Sequence, residues 1–133
     1  MNVVLDTNIV LDLFVFRDEA VGPLRAAIAN KKVKWLATAA MREELACVLS
    51  YEQIGARACA AQVTADDVLQ AFDAHVFVVE PPTASAVKCR DTDDQKFIDL
   101  AVAHGARLLS KDKAVLALRR KLAALAGEVS ARP

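Results

Sequence analysis

The sequence predicts an α/β fold, a three-layer α/β/α sandwich around a central, mainly parallel sheet of four to five strands. Three observations predict it. Short β-branched apolar runs alternate with longer helical stretches along the whole chain. The runs end abruptly on polar residues, as "VVLDTN" does, in the manner of a buried strand handing over to a helix. With 133 residues the chain fits one domain, 1–133, with a sizeable core.

Taken in order, Val3 to Leu5 is the first strand and Ile9 to Phe16 a helix, punctuated by Arg17 to Pro23. Leu24 to Asn30 is helical again, and Val33 to Thr38 forms the second strand, with Trp35 in the core. Thr38 caps a helix running to about Ser50. Gln53 to Gln62 and Ala65 to His75 are two further helices, the second opened by Thr64 with Asp67 as an acidic capping box. Val76 to Glu80 is the third strand, stopped by Pro81 and Pro82. Thr92 opens a helix to His104, with Gln95 completing a capping box and Gly105 ending it. Arg107 to Ser110 is the fourth strand. The last helix runs from Lys113 to Leu125, with Val115, Leu118, Leu122 and Leu125 on one face, and Glu128 to Ser130 adds an edge strand.

Composition excludes several functions. Lys+Arg and Asp+Glu balance at 17 each, so no global field draws in nucleic acid or membrane, and a polyanion would need local patches. No apolar stretch approaches the roughly 20 residues of a membrane span, and no secretory leader opens the chain, so a cytoplasmic protein is expected. Cys47, Cys59 and Cys89 are unpaired in spacing and read as buried thiols of a reducing compartment. His75 and His104 are isolated, with no zinc-type spacing.

Four carboxylates stand in positions of interest. Asp6 ends the first strand, where ligands collect in open parallel sheets. In "AAMREELACVLSY", Met41, Leu45, Val48 and Leu49 form a stripe, and Glu44 falls inside it while Glu43 lies beside it. A carboxylate aimed at a core is costly unless paired or metal-bound. In "CRDTDDQKF", Asp91, Asp93 and Asp94 crowd a helix start, with Asp94 over the apolar face, Asp93 rotated away and Asp99 solvated. Asp112 repeats the strand-to-helix layout of Asp6. Each acid also has a simpler role as a cap or a dipole partner. Their combination is the signal, because a doubly wound sheet can bring such positions to one rim. Anions 4 Å apart repel by about 4 kcal/mol at an effective dielectric near 20, so the group needs cations or raised pKa values. Hard oxygen ligands select Mg²⁺ or Mn²⁺, one or two ions.

These stretches, "VVLDTNI", "REELACVL" and "DTDDQKFIDLAVAHGARLLSKD" in that order, resemble the PIN domain, the nuclease fold of VapC-like toxins. The resemblance covers nearly the whole chain. It implies metal-binding catalytic acids at Asp6, Glu44, Asp94 and Asp112, with Asp93 and Asp91 as alternative or auxiliary ligands. Thr7 and Asn8 match residues that steady the first aspartate's loop, and Ser110 stands where many members have threonine. It further implies a metal-dependent ribonuclease, a toxin silenced by a cognate antitoxin, and a homodimer formed through early helices. Phosphodiester hydrolysis by metal-activated water needs no serine or histidine nucleophile, in keeping with this sequence.

RNA phosphates would call for basic neighbours. Lys111 and Lys113 flank Asp112, with Arg119, Arg120 and Lys121 further on, whereas Lys31, Lys32 and Lys34 read as a solvated face. Two other readings remain on the sequence alone. The fold could serve as a catalytically silent RNA- or partner-binding module. A phosphoaspartate phosphatase or receiver also places an aspartate after its first strand, but the phosphatase would want a second aspartate where Asn8 stands.

Overall fold

The computed structural model describes residues 1–85, 87–118 and 128–130. Its strands are β1 (Asn2–Leu5), β2 (Lys34–Ala37), β3 (Val76–Val78), β4 (Arg107–Leu109) and β5 (Glu128–Ser130). They form one five-stranded sheet in the order β3-β2-β1-β4-β5, and each neighbouring pair is parallel. The expected sheet is therefore present, with the edge strand at 128–130 included. Parallel strands need helical crossovers. These are α1 (Thr7–Leu11), α2 (Gly22–Ala29), α3 (Ala39–Leu49), α4 (Glu52–Ala60), α5 (Ala65–His75), α6 (Gln95–His104) and α7 (Lys113–Leu116). Helices and sheet together make the three-layer sandwich. The parts of the last helix placed beyond Leu118, with Arg119, Arg120, Lys121, Leu122 and Leu125, lie outside the described residues.

The central strands are apolar because both faces are covered. Val3, Val4 and Leu5 of β1, Leu108 and Leu109 of β4, and Phe97, Ile98, Leu100 and Ala101 of α6 are all buried. Trp35 is core as expected, meeting Phe72 edge-on at 5.2 Å and stacking on Phe14 at 6.1 Å. Strand order turns this core into a site. The crossovers from β1 run outward to β2 and β3, whereas β4 and β5 lie on the other side of β1. The order thus reverses between β1 and β4, the kind of switch point beyond whose carboxyl ends ligands collect in open parallel sheets. Residues 6 and 110–112 stand there.

Several local expectations are corrected. The first helix is α-helical only to Leu11 and continues as a π-helical turn over Asp12–Phe16, closed by Arg17 in the left-handed region at φ 50°. Thr92 and Gln95 do not form a capping box. Asp91 instead caps a 3₁₀ turn over Thr92–Asp94, accepting from the Asp93 N–H. Gln95 is taken by the preceding loop, accepting from the Cys89 N–H at 2.7 Å and donating to the Val87 carbonyl at 2.8 Å. Asp99 is not simply solvated, since it accepts from the Ser85 N–H and from Gln95. The third strand ends at Val78, although the Val79 N–H still reaches the Ala37 carbonyl. Cys89 is buried, but Cys47 and Cys59 are exposed, on outward positions of α3 and α4.

Candidate metal centre

Asp6 follows β1 and caps α1, so its simple and its functional reading coincide. Its Oδ1 accepts from the Ile9 N–H at 3.0 Å, and its Oδ2 accepts from the Ser110 hydroxyl. Each carboxylate oxygen has two lone pairs, so both keep capacity for a further partner. Asp6 is only 3% exposed. Burial pushes its carboxyl above the ordinary value, the Ser110 and Ile9 hydrogen bonds pull it back, and the charges of Asp112 and Asp12 push it up again.

Ser110, fully buried after β4, joins the two strand ends. While donating to Asp6, its hydroxyl accepts from the Asp112 N–H at 3.0 Å. Asp112 in turn caps α7 by accepting from the Ala114 N–H at 2.8 Å. The hydroxyl expected at this position is what locks the geometry.

Asp94 completes the group from the start of α6. Ligand oxygens of Asp91, Asp94 and Asp112 lie within 4.8 Å of one another. The Oδ2 of Asp94 is shut off from solvent and has no hydrogen-bond partner among the described residues. Its carboxyl is pushed up to about 7, first by burial, then by the negative charges of Asp112, Asp91 and Asp6. An orphaned carboxylate oxygen among other acids is a site short of positive charge. Carboxylates alone, without thiol or imidazole, suit a hard divalent ion. The residues therefore fit Mg²⁺ or Mn²⁺. Of the alternatives at this helix start, Asp94 and the exposed Asp91 fall within that distance, whereas Asp93 does not and gives its backbone carbonyl to Lys96.

Glu44 is turned inward as expected, and Glu43 outward. Glu44, like Asp6, lies outside the three acids whose ligand oxygens come within 4.8 Å of one another. Its Oε2 accepts from the Thr7 hydroxyl, and its Oε1 lies 2.6 Å from the Lys96 ammonium. Thr7 thus tethers the loop beside Asp6, in keeping with its expected supporting role, while Asn8 is exposed. Lys111, a candidate RNA contact, is instead 2.5 Å from Oδ2 of Asp12, an acid buried in α1's extension. Lys113 is exposed.

Sequence reasoning missed Asp12 and Lys96, and both carried a signal. Asp12 interrupts the apolar run "IVLDLFVF", the same anomaly that singles out Glu44. Lys96 is a cation in the first turn of a helix, where the dipole disfavours positive charge.

Comparison with known proteins agrees with this architecture. A chain in the crystal structure of VapBC2 from Rickettsia felis, bound to a DNA fragment from their promoter, superposes with a TM-score of 0.65 over 98% of either chain at 12% identity. At that identity the likeness speaks for the fold. None of the curated proteins matches the chain at a significant level. The family model described as PIN domain matches residues 2–114, the span from β1 to the first residues of α7, and the chain therefore belongs to the PIN domain family.

Proposed function

We propose that this chain is a metal-dependent endoribonuclease, and that Asp6, Asp94 and Asp112, with Asp91 beside them, hold one or two Mg²⁺ or Mn²⁺ ions. The observation that carries the reading is Asp94, whose orphaned Oδ2 and raised carboxyl mark a group of acids without a paired cation among the described residues. A bound divalent ion would offset phosphate charge and lower the pKa of an attacking water.

The chain's own residues set the stage for this. Ser110 and the Ile9 N–H fix both oxygens of Asp6, and the α7 cap fixes Asp112, so neither must reorganise when a phosphodiester arrives. Asp94 must release its proton to act as a ligand, which couples metal binding to pH. The likeness to a chain of a VapBC complex supports a toxin role with a cognate antitoxin protein. We further propose a homodimer working in the cytoplasm, which fits the absence, among the described residues, of any helix able to cross a membrane.

The test is cleavage of a mixed structured and single-stranded RNA pool with Mg²⁺ or Mn²⁺ and with a chelator. Identically purified Asp6→Asn protein serves as the control. Metal-dependent cuts by the wild type alone are expected, while equal cutting by both proteins would expose a contaminant. Absence of cutting by either would move weight to a binding module built on the same fold.

A further inference from the structure

Lys31, Lys32 and Lys34 are exposed, but the face they stand on is not a plain solvated one. They rim a cavity of about 450 Å³ with apolar walls, among them Ile28 of α2, Val33 and Phe77 of β3. Met1, Lys34 and Val76 also line it where β1, β2 and β3 begin, so it lies at the amino ends of the parallel strands. The acids of the metal centre stand at the opposite rim. No acid lines the cavity, and none of the three lysines has an ion pair, among the described residues. The dipole of α2 favours a cation after its last turn. It does not explain the position of Lys31, whose φ is 58°. The Lys31 and Lys32 N–H groups bond back to the Ile28 and Ala27 carbonyls, so Lys31 fills the left-handed place that glycine favours. Beside this rim, β3 is an edge strand with apolar side chains in solvent, Phe77 being 53% and Val78 66% exposed. The Val79 N–H points to Ala37 of β2, so by alternation the N–H and C=O of Val78 point away from β2.

We propose that this end of the sheet docks an extended, acidic segment of a partner protein. The segment runs beside β3, with aliphatic side chains in the cavity and carboxylates on Lys31, Lys32 and Lys34. Charge complementarity selects this occupant. A second copy of the same edge would bring like lysines together and be repelled. A nucleic-acid strand would meet aliphatic walls and one ring, Phe77, with the Lys34 ammonium already 4.8 Å from its centroid. That is a poor stacking platform. An extended peptide uses what is present here, a free strand edge for its backbone and a pocket for alternate side chains. The rim of lysines then sets the sign of the remaining side chains.

The test is selection from a displayed library of random short peptides on the full chain. The wild type should enrich sequences that alternate Asp or Glu with aliphatic residues. The variant carrying Lys31→Gln, Lys32→Gln and Lys34→Gln together should not. For one enriched peptide, fluorescence anisotropy should show about a threefold loss of affinity per lysine removed, the scale of an exposed ion pair. Lys31→Gly separates docking from folding, since it should raise the melting temperature by relieving the left-handed residue and still weaken the peptide. Hydrogen exchange at the Val78 amide should slow when the peptide is bound. Enrichment of peptides without acids, equal enrichment by the triple variant, or binding that leaves Val78 unprotected overturns the assignment. Loss of single-stranded RNA binding by the triple variant in chelator, with no acidic peptide enriched, overturns it by making the lysines a nucleic-acid contact. A changed oligomeric state of Phe77→Ser, again with no acidic peptide enriched, does so by making the edge a contact between copies. None of these outcomes touches the metal centre, so the nuclease reading stands or falls separately.

Discussion

Two sets of carboxylates stand at one rim of the sheet and are treated in opposite ways. Asp12 and Glu44 each have a lysine within 2.6 Å, so their charges are met inside the chain, although the Lys111 contact to Asp12 Oδ2 is an ion pair without hydrogen-bond geometry. Asp94, with Asp91 and Asp112 beside it, has an orphaned oxygen and a carboxyl pushed up to about 7. The difference lies in the supply of cations, not in burial, because Asp12 is the more buried acid. Among the described residues, Lys111 and Lys96 stand beside two acids while the others have no paired lysine or arginine, an imbalance that costs stability. Such a cost is the mark expected of a site completed from outside. Substitutions in the two sets should therefore differ in sign, with loss of an unmatched acid hurting function and loss of a matched charge hurting stability.

The largest effect is expected from Asp112→Asn. Asparagine keeps the capping acceptor for the Ala114 N–H, so the fold should survive. Removing one charge from the centre should lower Mn²⁺-dependent RNA cleavage by at least about a hundredfold, the scale seen when a pre-organised electrostatic contact is removed. Unchanged cleavage at matched far-UV circular dichroism would break the assignment of Asp112 to the centre.

Lys111→Met probes the opposite set. It strips the cation from Asp12 and leaves a buried carboxylate unpaired, which should cost about 2 kcal/mol in urea denaturation. The double variant with Asp12→Asn should recover most of that loss, because the stranded charge is gone. A full loss in the double variant would mean that Lys111 stabilises through its packing against the chain rather than through the pair.

The two sets were unequally legible in the sequence. Asp6 and Asp112 could be read because strand ends of a parallel sheet meet at one rim, and the strand runs themselves are plain in the apolar pattern, whereas Ser110 is reached only through the family resemblance. Glu44 could be read as inward from helical spacing, but its partner could not, since Lys96 is distant in sequence and pairing across elements leaves no periodic trace. Asp94 was separable from Asp93 by helix phase, yet that reading assumed a helix opened by Thr92. The 3₁₀ turn capped by Asp91 is what brings Asp91 in as well. Gln95 was misread for a related reason. A capping box and a loop strap use the same amide, and the loop around Val87 and Cys89 wins it. The π-helical turn stayed hidden because the helical pattern continues through it, although Asp12 itself breaks the apolar run.

The smallest effect is the sharpest on sign. In the unfolded chain Asp94 titrates near its ordinary value of 3.8, and in the folded chain near 7. Between those values the folded protein keeps a proton that the unfolded chain has released, so metal-free stability falls as pH rises through that window. Asp6 is shifted in the same direction and adds to the fall. Asp94→Asn removes its own share of the fall. At pH above about 7, in chelator, the variant should be more stable than wild type by about 1 kcal/mol, a value discounted for the solvent that reaches this half-buried group. Below the ordinary aspartate value both forms are neutral, and the gain should vanish. Saturating Mn²⁺ should reverse the order at high pH, since the ion stabilises only the chain that binds it well. Melting curves across pH, with and without Mn²⁺, read all three expectations. A variant that is less stable than wild type in chelator at high pH would place Asp94 with the matched acids and dissolve the distinction between the two sets.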